Sequence, residues 1–218
     1  MKNLKPKRVT LFAGHYGSGK TNIAVNYALH LARNGYPVTI ADLDIVNPYF
    51  RTKDSAEALE RAGIRLISSA YANSNVDVPA LPAELYALTQ DKSRYAILDV
   101  GGDDRGALAL GRYAADILSE NDYEMIFVAN FYRPLTTTAE EALEVMKEIE
   151  TAGKIPFTAI VHNSNLGRET TPDHVTDKAK EAERLSSLSG LPLLLTTAEA
   201  GVAEAIDAFP LDLQKKIF

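Results

Sequence analysis

The sequence contains no cysteine among its 218 residues. That absence excludes disulfides, thiolate-bound zinc, iron–sulfur clusters and a cysteine nucleophile. The four histidines do not have the spacing of metal ligands, and a lone histidine is more often structural or solvated. We therefore expect no redox metal centre. The four histidines of the chain are His15, His30, His162 and His174.

Long apolar runs and a large excess of positive charge are also missing. No run approaches the ~20 apolar residues that a membrane span needs, and the segment from Leu211 to Phe218 is too short and too weakly amphipathic to anchor to lipid. Lysine and arginine number 23 against 29 acidic residues, a net charge of −6, and the basic residues form no block. We therefore expect a cytoplasmic protein with no membrane anchor and no nucleic-acid partner.

Strand-like and helix-like patterns alternate along the chain. The strand patterns are nearly all apolar, which is typical of a parallel sheet covered on both faces, and repeated strand–helix units imply right-handed crossovers. No repeat or linker divides the chain. We predict an α/β fold, a single domain over residues 1–218 with a doubly wound, mostly parallel sheet and helices on both faces. The predicted strands are 8–13, 37–41, 64–68, 95–100, 125–129, 157–162 and 193–196, and the predicted helices are 22–33, 55–62, 82–89, 138–151, 172–189 and 198–208.

A phosphate-binding motif lies between the first predicted strand and helix. The segment Gly14-His15-Tyr16-Gly17-Ser18-Gly19-Lys20-Thr21 matches G-x-x-x-x-G-K-[ST], the P-loop pattern. Glycines allow the backbone N–H groups to surround a phosphate, and the helix N-terminus adds positive potential. Lys20 would reach the β- and γ-phosphates, and the Thr21 hydroxyl would bind Mg²⁺. The alternative is an ordinary tight glycine turn, but the flanking strand and helix favour a nucleotide-phosphate site.

Two acidic segments follow predicted strands that would end at the same sheet edge. The apolar strand 95–100 contains Asp99, which would hold a Mg²⁺-bound water, while the amide of Gly102 would meet the γ-phosphate. Asp42 and Asp44 share one direction along an extended chain, so both could point toward the metal and the attacking water. The alternatives are an ordinary polar strand end for Asp99 and a solvated turn for the Asp42 segment. Thr21, Asp99 and Asp42 are thus the candidate metal ligands.

These motifs carry a family resemblance. The P-loop, Asp42-Leu43-Asp44 and Asp99-Val100-Gly101-Gly102-Asp103, in that order and spacing, resemble the MinD/ParA/nitrogenase-iron-protein group of P-loop ATPases, from residue 9 to about residue 202. The resemblance implies ATP and Mg²⁺ as ligands, with Asp44 orienting the attacking water and Lys20 acting on the phosphates. It also implies that Asn163 contacts adenine, although from its residue type alone Asn163 could equally cap the following turn.

One position departs from that group. The signature lysine that reaches across a dimer to the partner's nucleotide is replaced here by His15. A lysine is charged at neutral pH, whereas a histidine is close to its titration range. The resemblance implies an ATP-dependent homodimer, but His15 leaves activation across that dimer open.

Taken together, the sequence predicts an ATP-binding and ATP-hydrolysing switch that relays its nucleotide state to an unidentified protein partner. Two alternatives stay open: a small-molecule kinase or ATP-dependent ligase on the same fold, and a nucleotide-binding adaptor with negligible turnover. Guanine-specific proteins on related folds use N-K-x-D, in which the aspartate pairs with guanine. The fourth position counted from Asn163 is Leu166, so we predict ATP over GTP.

Overall fold

The computed structural model describes residues 5–43, 53–68, 84–101 and 104–213. Most of the predicted site falls within these ranges. Three residues singled out from the sequence, Asp44, Gly102 and Asp103, lie outside them.

Strands and helices alternate through the described residues. The strands are β1 Val9–Ala13, β2 Val38–Asp42, β3 Arg65–Ser68, β4 Tyr95–Asp99, β5 Tyr123–Ala129, β6 Ala159–His162, β7 Leu193–Glu199 and β8 Phe209–Leu211. The helices are α1 Lys20–Arg33, α2 Lys53–Arg61, α3 Glu84–Gln90, α4 Asp104–Leu110, α5 Ala114–Glu120, α6 Ala139–Gly153, α7 Pro172–Asp177, α8 Ala179–Ser189 and α9 Ala200–Ile206, with a 3₁₀ turn at Gly167–Glu169.

The strands form one sheet in the order β3-β2-β4-β1-β5-β6-β7-β8. Every pairing in it is parallel, so the sheet is fully rather than mostly parallel. Because β1 lies between β4 and β5, the chain extends the sheet to one side of β1 first and to the other side afterwards. Ligands of open α/β sheets bind at such a reversal, outside the carboxyl ends of the strands. The P-loop follows β1 directly and therefore occupies this position.

Helices cover both faces of the sheet, as predicted. Along β1, Val9 and Leu11 belong to one buried cluster, which includes side chains of α4, α5, α6 and α8. Phe12 points to the opposite face and packs edge-on against Tyr27 of α1, with ring centroids 5.6 Å apart. This alternation follows from the two-residue period of a strand. Burial on both faces makes β1 a rigid support for the loop at its end.

One predicted helix is divided in the structure, and some short elements were not predicted. The helix predicted over residues 172–189 is broken at Lys178 into α7 and α8, because its two halves bury side chains in different places. Val175 of α7 packs with Val202 of α9, whereas Leu185 of α8 joins the main cluster. The pattern analysis also missed α4 and α5, two seven-residue helices separated by a turn at Gly111. The three-residue strand β8 was missed as well.

Candidate functional site

The P-loop connects the buried strand β1 to the first turn of α1. The N–H of Ser18 donates to the carbonyl of His15 at 3.0 Å, which closes a tight turn. Gly19 precedes α1 with φ of 89°, a left-handed conformation that favours glycine. A Cβ at Gly14 would lie 2.5 Å from the carbonyl oxygen of Val128. Glycine is therefore required at position 14 by the close approach of Val128, and it is favoured at position 19 by the backbone conformation.

The P-loop side chains differ in their exposure. Lys20 and Ser18 are buried, at 4% and 1% exposure, whereas Tyr16 is 63% exposed. His15 is half-buried, and its Nδ1 lies 3.2 Å from the carbonyl oxygen of Tyr16. The first turn of α1 contains no acidic residue. The positive end of the helix dipole is therefore available to an anion.

Two predicted metal ligands are in direct contact. Thr21 Oγ1 donates to Asp99 Oδ2 at 2.5 Å, which joins the end of the P-loop motif to the last residue of β4. Asp42, the last residue of β2, is the register neighbour of Asp99. Both carboxyl groups are buried, at 4% exposure for Asp42 and none for Asp99. The structure thus brings Thr21, Asp99 and Asp42 together at the carboxyl edge of the sheet.

Hydroxyl and carboxylate oxygens of this kind suit Mg²⁺. This ion is usually held through one or two carboxylates together with substrate phosphates, rather than by an all-protein cage. Two buried carboxylates on adjacent strands repel each other when both are ionised, and a divalent cation relieves that repulsion. Among the described residues there is no group of three or more His, Asp or Glu side chains that could hold a metal by itself. The donor set therefore fits Mg²⁺ bound together with a phosphate ligand.

The later strands contact the P-loop through its carbonyl groups. Asn163, directly after β6, is 4% exposed, and its Nδ2 donates to the carbonyl of Ser18 at 2.7 Å. Its Oδ1 accepts from Thr197 Oγ1 of β7, also at 2.7 Å. In the loop after β5, the Nε of Arg133 donates to the carbonyl of Gly17 at 2.9 Å. The structure places Asn163 beside the P-loop, and adenine contact by Asn163 stays a prediction.

Sequence reasoning missed part of this arrangement. No role was predicted for Thr197, nor for Ser164, whose Oγ accepts from the N–H of Phe131 at 3.0 Å. The sequence does contain a signal for Arg133, because this residue follows a strand at the carboxyl edge of the sheet, where ligands of open α/β folds bind. The structure shows a hydrogen bond from Arg133 to the P-loop backbone.

The motifs and their geometry agree with a comparison to known families. The model of the CobQ/CobB/MinD/ParA nucleotide binding domain matches residues 9–170. The chain belongs to this family. Its members are P-loop nucleotide-binding proteins, so the resemblance seen in the sequence is confirmed. A comparison with curated proteins found no match.

Solved structures with a similar fold are available for this CobQ/CobB/MinD/ParA-family chain. Cell division protein FtsY from Thermotoga maritima is 20% identical with a TM-score of 0.63, over 96% of this chain and 67% of the other. Chloroplast FtsY from Physcomitrella patens is 18% identical with a TM-score of 0.62, over 96% and 63%. Signal recognition particle receptor FtsY from Elizabethkingia anophelis, in complex with GDP, is 17% identical with a TM-score of 0.57, over 99% and 62%.

At these identities the likeness concerns the fold alone. This chain spans 62% of the length of the Elizabethkingia protein. Within the described residues, no helix has the length and apolar character needed to cross a bilayer.

Proposed function

We propose that this protein binds and hydrolyses MgATP and acts as a switch that couples its nucleotide state to a protein partner. The observation that carries the proposal is the contact between Thr21 and Asp99, which joins a complete P-loop to the carboxylate at the end of β4. The buried Lys20 and Asp42 lie at the same edge of the sheet. A phosphate chain seated on the P-loop would have a cation, a hydroxyl and two carboxylates around it.

The P-loop residues 14–21 would hold the phosphates through their backbone N–H groups, and Lys20 would add a fixed charge at the β- and γ-phosphates. Thr21, Asp99 and Asp42 would hold Mg²⁺, which supplies positive charge that offsets the charge of the phosphates. The amide of Gly102 would meet the γ-phosphate. Asp44 would orient the attacking water as the catalytic carboxylate.

ATP is the proposed nucleotide. The residue three positions after Asn163 is Leu166, which cannot form the carboxylate pairing that selects guanine in N-K-x-D proteins. Asn163 is the residue proposed to contact adenine, and its position beside the P-loop is compatible with a nucleotide seated there. The bound GDP of the Elizabethkingia FtsY structure belongs to that protein and does not bear on this choice.

The proposed setting is cytoplasmic, with a protein partner and an ATP-dependent homodimer, and with neither nucleic acid nor a membrane anchor. The net charge of −6 supports the absence of a nucleic-acid partner. His15 occupies the position of the family's signature lysine, and its Nδ1 lies 3.2 Å from the carbonyl oxygen of Tyr16 in the same loop. Whether it also acts across a dimer is tested below.

The measurement that separates the proposed switch from its alternatives is phosphate release from MgATP by the purified protein. Hydrolysis without any added acceptor supports the switch. Turnover only in the presence of a small-molecule acceptor would indicate a kinase or ligase, and tight binding without turnover would indicate an adaptor. Partner coupling is tested with Asp44→Asn, which should retain a specific protein in MgATP and release it in MgADP. Retention that is equal in both nucleotides would contradict the coupling.

A further inference from the structure

The P-loop is contacted from outside at two successive carbonyl groups. A loop that directs its N–H groups toward a phosphate turns carbonyls outward, and these need donors of their own. Arg133 donates to Gly17 at 2.9 Å, and Asn163 donates to Ser18 at 2.7 Å. These contacts join the P-loop to the loops that follow β5 and β6.

Arg133 is itself fixed by its own loop. Its N–H donates to the carbonyl of Asn130 and its carbonyl accepts from the N–H of Thr136, each at 3.2 Å. Thr136 Oγ1 also donates to the carbonyl of Asn130 at 2.9 Å. Thr136 and the neighbouring Phe131 are buried, at 2% and 1% exposure. A side chain carried by a loop with so many internal bonds starts from a defined position, which lowers the entropy lost when it makes its contact.

The Arg133 side chain lies close to the P-loop at Gly17. A Cβ added at Gly17 would stand 3.2 Å from Arg133 Nε, 3.4 Å from Cδ and 3.5 Å from Cζ. Arg133 forms no ion pair within the described part of the chain. Within the described residues, Arg133 therefore interacts chiefly through the hydrogen bond from its Nε and through packing on Gly17. Neither one requires the positive charge to touch a phosphate.

We propose that Arg133 is a positioning residue that holds the P-loop in its phosphate-binding conformation before nucleotide arrives. This inference rests on the proposed nucleotide-binding function and identifies a residue outside the family motif as part of it. Because Arg133 acts on the backbone of Gly17, its contribution is the same for a nucleoside diphosphate and a triphosphate. A charge that touched the γ-phosphate would favour the triphosphate instead.

Two substitutions separate the hydrogen bond from the charge. Arg133→Gln keeps an N–H donor at the fourth atom of the side chain, the place of Nε, and removes the charge. Arg133→Met has a side chain as long as that of glutamine, but it carries neither a donor nor a charge. Arg133→Ala is a second variant without a donor. Arg61→Met is the control, because Arg61 is exposed and ends α2 just before β3 begins, at the opposite edge of the sheet.

The first readout is calorimetric affinity for MgADP and for a non-hydrolysable MgATP analogue. We expect Arg133→Met and Arg133→Ala to lose about tenfold for both nucleotides, the effect of one hydrogen bond from a charged donor. Arg133→Gln should stay within about threefold of wild type, and Arg61→Met should match wild type. Unchanged affinity in Arg133→Met would overturn the proposal. If Arg133→Gln and Arg133→Met lose the same affinity, and lose more for the triphosphate analogue than for MgADP, the proposal is overturned. That result would indicate that the charge of Arg133 contacts the nucleotide directly.

The second readout is hydrogen exchange of residues 14–21 in the nucleotide-free protein. We expect faster exchange in Arg133→Met than in wild type or Arg133→Gln, with exchange of the central strands unchanged in all three. Equal exchange in all variants would overturn the proposal. This readout decides the matter even if the wild type binds neither nucleotide, an outcome that would refute the proposed function.

Discussion

Thr21 Oγ1 and Asp99 Oδ2 lie 2.5 Å apart, although 78 positions separate the two residues in the chain. The contact links the start of α1 to the end of β4 across the point where the sheet reverses its order. Backbone pairing holds the contact in place, because β1 and β4 are register neighbours up to Phe12 and Asp99. The sheet itself thus brings together two of the residues proposed to hold Mg²⁺.

Thr21→Val should weaken the Mg²⁺ dependence of ATP binding, while Thr21→Ser should retain it. Valine has the size of threonine but no hydroxyl, so the metal loses a ligand and the expected loss in the presence of Mg²⁺ is about tenfold. Calorimetric titrations with Mg²⁺ and with EDTA measure the effect as a ratio, which cancels any general weakening of the site. If the ratio of ATP affinities with Mg²⁺ and with EDTA is the same in Thr21→Val and wild type, Thr21 is not a metal ligand.

Asp44→Asn should leave ATP binding intact and lower hydrolysis by at least ~10²-fold, because it removes the carboxylate that orients water but keeps the side-chain shape. Single-turnover phosphate release and a binding titration on the same preparation separate the two effects. Asp116→Asn, at an exposed position of α5, is the matched control. Normal hydrolysis by Asp44→Asn would show that another group orients the water.

His15→Lys tests activation across a dimer. If residue 15 acts on a partner's nucleotide, specific ATPase activity rises with protein concentration. The lysine variant should then exceed wild type, because lysine is longer than histidine and carries a positive charge. His15→Ala should lose the concentration dependence. Identical concentration profiles for all three proteins would leave His15 as a lining residue of the loop only.

His162 should make the fold sensitive to acid. Burial lowers the pKa of its imidazole from 6.5 to about 4, since the interior beside Phe131 disfavours the charged form. The unfolded chain therefore binds a proton that the folded protein does not. The contribution of His162 to the free energy of unfolding is fully present above pH 6.5. It is lost as the pH falls from 6.5 to about 4, which lowers the free energy of unfolding by up to about 3 kcal/mol.

Chemical denaturation of wild type and His162→Gln between pH 7 and pH 4 measures this linkage. We expect a shallower pH dependence in the variant, whatever its stability at pH 7. His30→Gln is the control, because His30 lies on α1 and is only partly buried. Parallel curves for wild type and His162→Gln would show that His162 does not titrate differently in the folded and unfolded states.

The fold was largely predictable because its signals are local. Apolar strands such as Tyr95–Asp99 contain their own pattern, and the glycine spacing of the P-loop is complete within eight residues. The break at Lys178 was not predictable, because the helical pattern runs through it. The break arises from where Val175 and Leu185 find their packing partners.

The proximity of the motif residues was also predictable from the sequence. Thr21 follows the glycine spacing of the P-loop and Asp99 ends an apolar strand, so both were expected at the same edge of the sheet, where they are in contact. The contact of Arg133 with Gly17 joins positions 116 residues apart, and no spacing rule relates them. It exists because β5 lies beside β1 in the sheet, a fact of topology that the pattern of a single chain does not contain.

The most direct test of the whole account is a calorimetric titration of ATP, with Mg²⁺, into the wild-type protein and Lys20→Ala. The account predicts saturable binding of ATP by wild type, weaker binding of GTP, and a loss of ATP affinity of ~10²-fold or more in Lys20→Ala, because a buried cation that pairs with phosphate is removed. Lys147→Ala, an exposed position on α6, should bind as wild type does. No binding by wild type, or equal binding by wild type and Lys20→Ala, would contradict it.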